Sequence, residues 1–163
     1  KVWVSDITYI RTDEGWLYLA AVKDLFDRQI VGFATGNRID TTLCQRALSA
    51  AIGRHRPGAG LIHHSDQGVQ YASRDYQNLL KQNHIVPSMS RKGIPYDNAC
   101  AESFFSTIKL EMIYHEHFAT RAQAQAAVFE YIEVYYNRQR RNAAIGNLPP
   151  TEFRRRFFQQ NAA

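Results

Sequence analysis

Cysteine is scarce in this chain: Cys44 and Cys100 are the two in 163 residues. Two unclustered thiols make neither a disulfide framework nor a zinc site. They suit a reducing compartment, which points to the cytoplasm. Long apolar runs are missing too. The longest, Trp16 to Val22, is far short of the ~20 residues that cross a bilayer, so no membrane span is expected. No secretory signal precedes the first strand-like segment. There is no low-complexity tract and no internal repeat, and the composition is that of a globular chain. The first residue is Lys1 rather than Met, so the expectation is an excised domain or a processed product with partner domains outside it.

What is present is uneven. Residues 1–137 hold 14 Lys+Arg against 14 Asp+Glu, whereas residues 138–163 hold six arginines and one acid, Glu152. The whole net charge of +5 therefore sits in the last 26 residues. A basic end of this kind suits a polyanion such as DNA or RNA. A solvated tail or a basic helix face is the alternative.

The length fits one domain, or one domain with a short appendage. Val2–Ile10 reads as a strand rich in β-branched and aromatic residues, followed by turn chemistry at Thr12–Gly15. Trp16–Phe26 and Gln29–Thr35 read as two further strands, turned at Asp27-Arg28. Short connections imply an antiparallel meander. Thr41–Arg54 has a helical period, with Asp40 or Thr41 as its cap and Arg56-Pro57-Gly58 as its stop. Leu61–His64 is a short strand. Ser73–Gln82 is a helix with Tyr76, Leu79 and Leu80 inward, and His84–Met89 is a further strand. Arg91–Pro95 is a loop. A helix is expected from about Asn98, capped by Asp97 or Asn98, to Tyr114. A last helix starts at Thr120, where Thr120 and Gln123 make a capping box. It runs to about Tyr136 and buries Val128, Ile132 and Tyr135. The order is βββ-α-β-α-β-α-α, an α/β class with a mixed sheet flanked by helices. A ribonuclease-H-like fold has this order, though others share it.

Three acids stand out. Asp6 lies mid-strand among Val4, Ile7 and Tyr9, where a carboxylate is costly unless it is paired or binds a metal. Asp66 ends a strand just before Gly68, a place where α/β sheets put functional residues. Glu102 lies in the first turn of a helix, where a carboxylate suits the helix dipole. Phosphodiester transfer by two metals needs a few oxygen ligands from different elements, and magnesium takes few carboxylates. Two strands and a helix fit that demand, although each acid has a bland reading as a turn, cap or ion-pair residue. Lys109 follows Glu102 by two helical turns, about 10 Å along the same face, with Ser106 between them. Phe104, Phe105, Ile108 and Met112 take the core side. A solvated stripe is the alternative reading.

The stretches WVSDITYI (3–10), DRQIVGF (27–33), HSDQGVQYAS (64–73), SMSRKGIPYDNACAESFFSTIKLE (88–111), YNRQRR (136–141) and LPPTEF (148–153) carry a resemblance. Together they resemble the catalytic core of DDE transposases of bacterial insertion sequences, in the IS-three group. That group belongs to the integrase-core superfamily with the retroviral integrases. Thirty-five residues, 67–101, separate Asp66 from Glu102, the spacing of the D,D-35-E motif. The resemblance implies a ribonuclease-H-like fold with a mixed five-stranded sheet. It implies a core over 1–118 and a C-terminal helix and basic tail over 119–163, continuous with the core.

The resemblance also makes Asp6, Asp66 and Glu102 the catalytic and metal-binding triad. It implies Mg2+, with Mn2+ as a substitute, and sets Lys109 near the DNA end. The implied chemistry is cleavage at the element's end and strand transfer into target DNA, with no covalent enzyme–DNA intermediate. Implied partners are mobile-element ends, target DNA and further copies of the chain, in a bacterial cytoplasm near the nucleoid. A viral integrase core of the same chemistry and an inactive DNA-binding relic are the competing readings. One departure is visible: Asn142 stands where the family usually has His.

Other residues are weighed singly. His64 is a possible orienting group beside Asp66, whereas His63 reads as a strand residue. Arg91 and Lys92 lie in a loop suited to DNA, and Arg138, Arg140 and Arg141 are candidate phosphate contacts. Tyr135 and Tyr136 read as core rather than as base-stacking rings. Base specificity is expected from segments outside this chain.

Overall fold

The computed structural model describes residues 1–89 and 99–161. Strand β1 (Val2–Thr12) turns through Asp13-Glu14 into β2 (Gly15–Asp24), and β2 continues into β3 (Ile30–Gly36). These three form the expected antiparallel meander, with Asp6 opposite Ala21. Strands β4 (Ile62–Ser65) and β5 (Val86–Met89) extend the sheet in parallel, giving the order β3-β2-β1-β4-β5. The mixed five-stranded sheet is thus as expected.

Helices cover both faces. On one side α1 (Thr41–His55), α2 (Val69–Ala72) and α3 (Arg74–Gln82) pack Leu48, Tyr71 and Leu80 against Trp3 and Val22. On the other, α4 (Ala99–Glu111) and α5 (Arg121–Glu130) pack Phe104, Ile108 and Val128 against Ile10, Leu17 and Leu19. Glycine is required at Gly32: a Cβ there would stand 2.4 Å from the Ala47 carbonyl oxygen, so α1 lies directly on β3. The cap of α1 is the Asp40 side chain, which accepts from the Leu43 N–H at 2.8 Å. Ser73 caps α3 rather than belonging to it. Thr120 and Gln123 form the reciprocal capping box.

The C-terminal part differs from expectation in three ways. After Glu130 the helix widens into a π-helical turn, Tyr131–Tyr136. Bonding from residue i to i+5 shifts the phase of the inward face. Val128, Ile132 and Tyr136 are buried as expected, but Tyr135 is 41% exposed and Tyr131 is buried instead. Helix α4 stops at Glu111, and a 3-10 turn, Ile113–His115, follows. A sixth helix, α6 (Pro150–Gln160), was not anticipated, although Pro150 in its first turn after Pro149 is a recognisable start signal. The loop at Arg91–Pro95 and the Asp97 or Asn98 cap lie outside the described residues.

Two polar anchors fasten this part to the sheet. The buried Asn137 side chain accepts from Ile30 N–H at 2.9 Å and donates to Ile30 carbonyl at 3.0 Å. It thereby completes the backbone of the edge strand β3 as a neighbouring strand would. The second anchor is Arg154 of α6, whose guanidinium lies 2.7 Å from Asp27 and 3.7 Å from Asp24, both fully buried.

Candidate active site

Asp6 and Asp66 are brought together by register. Strands β1 and β4 run parallel with Val4 beside His64. Two residues further along each chain stand Asp6, on β1, and Asp66, just past the end of β4. Alternation along a strand puts Val4 and Asp6 on one face, the face that α4 covers with Phe104 and Ile108.

The electrostatics of Asp6 report its neighbours. Its carboxyl is pushed up from 3.8 to about 6, chiefly by burial. An N–H bond from Ile7 opposes the rise, the charges of Asp66 and Glu102 add to it, and Lys109 offsets it. The four residues on β1, after β4 and on α4 therefore share one neighbourhood. Two of the carboxylates are partly committed: an oxygen of Asp6 accepts from Ile7 N–H at 2.8 Å, and one of Asp66 from Gly68 N–H at 2.9 Å. Each keeps a second oxygen for another ligand.

This donor set fits a hard divalent cation. It is all oxygen, it converges from separate elements, and its most buried member ionises reluctantly until positive charge arrives. Among the described residues no three His, Cys, Asp or Glu side chains form a metal cluster by themselves. Magnesium binding does not demand one, because water and substrate oxygens complete its shell.

The cost of Asp6 yields a prediction. A carboxyl raised from 3.8 to about 6 holds its proton more tightly folded than unfolded. Its ionisation therefore subtracts stability as pH rises from the lower value to the upper, and the full cost stands above that window. At about 1.4 kcal/mol per tenfold shift, that cost is roughly 3 kcal/mol in metal-free protein near neutrality. Asp6→Asn is expected to melt above wild type at pH 7.5 in EDTA, and the gain should vanish near pH 4. An equal gain at both pH values would contradict this origin.

Lys23 was missed by sequence reasoning. It is a buried lysine on β2 whose ammonium donates to the Cys100 carbonyl at 3.1 Å. Arg28 reaches the Cys100 sulfur at 3.5 Å. Both cations thus grip the first turn of α4, two residues before Glu102. Burial, with Arg28 nearby, brings the Lys23 ammonium down to about 8. The available signal was a lysine placed at the inward phase of an apolar strand.

The remaining candidates separate. His64 is half-buried and its Nδ1 lies 2.9 Å from Ser88 Oγ on β5, a contact between neighbouring strands beside Asp66. His63 is buried on the opposite face, between Ser5 Oγ at 2.7 Å and Tyr76 hydroxyl at 3.1 Å. Burial lowers its imidazole to about 4, which keeps it neutral. Ser106 is exposed on the stripe between Glu102 and Lys109. Arg140 is held by Glu111 at 2.7 Å, with its guanidinium 5.7 Å from the Tyr136 ring centre. Arg140, a candidate phosphate contact, is thus already engaged in an ion pair. Arg138 and Arg141 are exposed. Arg91 and Lys92 lie outside the described residues.

A family model described as integrase core domain matches residues 1–95, and a second of the same description matches residues 102–158. The chain belongs to the integrase core family. Among curated relatives, this integrase core is 48% identical over 162 residues to the "Insertion element IS600 uncharacterized 31 kDa protein" of Shigella sonnei, covering 99% of the chain and 60% of that protein. It is 49% identical over 151 residues to "Transposase InsF for insertion sequence IS3A" of Escherichia coli strain K12, covering 93% of the chain and 52% of the transposase. The chain thus spans little more than half the length of these relatives.

Solved structures share the fold. The catalytic core domain of BIV integrase superposes with a TM-score of 0.70 at 14% identity, covering 99% of this chain and 98% of that one. The HTLV-2 integrase catalytic core domain, solved with magnesium in a trimeric form, gives 0.69 at 14% identity, covering 93% and 94%. The ribonuclease-H-like expectation therefore holds. Among the described residues no helix is long and apolar enough to cross a membrane.

Proposed function

We propose that this chain is the catalytic core of an insertion-sequence transposase, and that Asp6, Asp66 and Glu102 hold Mg2+, or Mn2+ in its place, at the point of DNA strand cleavage and joining. The observation that carries this reading is that Asp66, Glu102 and Lys109 all act on the Asp6 carboxyl, from two parallel strand ends and one helix. Bound there, the metal supplies charge neutralisation and Lewis acidity to the phosphodiester. The residues of the chain do the rest. The carboxylates set the site's geometry, and the sheet on which Asp6 sits keeps it rigid. Lys109 offers an ammonium to a phosphate oxygen, and Lys23 fixes the start of the helix that carries Glu102.

In the first reaction a water oxygen attacks phosphorus and the P–O3′ bond breaks, freeing the element's 3′-hydroxyl. In the second, that hydroxyl attacks a target phosphodiester and displaces the target's own 3′ oxygen. No protein nucleophile is needed. Element ends and target DNA are the partners, exposed Arg138 and Arg141 add backbone contacts, and further copies of the chain complete the active assembly. The HTLV-2 cores described as dimeric and trimeric support that last point by analogy only. The setting is the bacterial cytoplasm, at the nucleoid. Residues 119–163 act with 1–118 as one unit, a reading supported by the Asn137 and Arg154 anchors.

The test is a strand-joining assay with the full protein and labelled DNA ends of the element. Joining is expected with Mg2+ or Mn2+, and none in EDTA. Joining that persists in EDTA would remove the metal from the account. Intact DNA binding with no joining under any metal would favour an inactive relic.

A further inference from the structure

The sheet carries an exposed aromatic pair beside the acids that the proposed chemistry leaves unused. Tyr9 is 55% exposed and Trp16 is 45% exposed. They stand on neighbouring strands of the β1–β2 hairpin, where Arg11 is directly opposite Trp16 and Tyr9 is opposite Tyr18. Their rings meet edge to face, with centres 5.1 Å apart and planes at 80°. Two large rings left half in water are not core.

Charge flanks the pair at both ends. The Lys109 ammonium lies 4.9 Å from the centre of the Tyr9 ring. Arg11 is exposed next to Trp16. Neither cation has an ion pair among the described residues. The strip Lys109–Tyr9–Trp16–Arg11 thus alternates cation, ring, ring and cation, and its Lys109 end touches the electrostatic field of Asp6. Tyr9 follows Asp6 by three residues, about 10 Å along an extended strand and on its other face, and Lys109 links the two.

We infer that Tyr9 and Trp16 form a stacking subsite for an unpaired nucleobase of the DNA end, whose phosphates are held by Lys109 and Arg11. A polyanion with flat apolar faces matches both components of the strip: ammonium and guanidinium for phosphate, and indole and phenol for a base. A fully paired duplex end offers only the outer face of its terminal pair, whereas a frayed end frees a base to turn onto the rings, so the subsite favours ends that fray. The inference rests on the proposed reaction for its choice of DNA strand but not for binding itself.

The experiment measures equilibrium binding of the full protein, in Ca2+ to withhold turnover, to two DNA ends. One is fully paired and the other has mismatched terminal pairs. Wild type is expected to prefer the frayed end. Trp16→Ala should weaken frayed-end binding about tenfold, toward the low end for one base on one ring, and abolish the preference. Trp16→Phe should restore most of it. Trp3 is 2% exposed, so the part of the quenching on binding that is lost in Trp16→Phe should report Trp16. Equal losses on both ends in Trp16→Ala, no loss on either, or a Trp16→Phe as weak as Trp16→Ala would each overturn the subsite. A wild type that shows the preference yet joins no DNA in Mg2+ would overturn the proposed reaction and leave the subsite standing. A wild type that joins DNA with no effect of Trp16→Ala would do the reverse.

Discussion

Asp66→Asn is expected to lower magnesium-dependent strand joining by at least about a thousandfold, near 4 kcal/mol of lost transition-state stabilisation, while the protein stays folded. The fold survives for a local reason. Asp66 is exposed, and its one structural task is to accept the Gly68 N–H at 2.9 Å. The Asn oxygen can accept that same bond, so the turn after β4 keeps its shape. The negative charge is what goes, and with it a hard-cation ligand that a neutral amide replaces poorly. The checks are a joining assay and a thermal melt on the same preparation. A lost activity with a collapsed melt would show only that the turn failed. Near-normal joining with an intact melt would remove Asp66 from the site.

Arg154→Leu is expected to cost about 3 kcal/mol of stability, the low end for breaking a buried ion pair. Its ion-pair partners among the described residues are Asp24 and Asp27 and none of the three acids of the site, so the effect is on the fold and not the chemistry. Asp24 and Asp27 are 1% and 0% exposed, and Arg154 is the arginine that reaches both. Burial pushes the Asp27 carboxyl above its ordinary value, the nearby Asp24 charge adds to that, and Arg154 pulls it down. Without the guanidinium the two carboxylates face each other in a dry pocket. For a chain of this size the melt should fall by about 10 °C at neutral pH. A carboxyl raised further binds its proton more tightly folded than unfolded, so acidification should recover part of the loss. Comparison of the melts of wild type and Arg154→Leu at pH 7.5 and pH 5 measures both. A loss that is small, or that grows on acidification, would contradict the pairing.

The part of the site that could be read from the chain is the part made of local rules. Asp6 in an apolar strand, Asp66 at a strand end and Glu102 in a first helical turn each broke or obeyed a pattern visible within a few residues. The meander and the capping box were visible for the same reason. What escaped depends on contacts across long separations. Lys23 looks like one more charge until Cys100 arrives above it, 77 residues on. Asn137 looks like a loop residue until it completes the edge of β3 at Ile30. The pairing within the basic end was equally hidden. Of its six arginines, Arg140 is spent on Glu111, Arg154 on Asp27, and Arg155 and Arg156 on Glu152. Net charge counts charges and not their partners, so it does not tell the paired arginines from Arg138 and Arg141, which are exposed with no ion pair among the described residues. The π-helical turn is invisible for another reason: a bond pattern of i to i+5 leaves no signature in an apolar period, so Tyr135 was placed inward beside Tyr136, whereas Tyr131 takes that place.

The central claim is that the three carboxylates form one metal site, and manganese can be located directly by its anomalous scattering. Crystals of the protein soaked in Mn2+ are expected to show a peak between Asp6 and Asp66, within about 2.3 Å of an oxygen from each, at the distances typical of hard cations. The peak should be absent from Asp66→Asn crystals treated in the same way. A wild-type crystal with manganese bound elsewhere, and none between Asp6 and Asp66, would contradict the account.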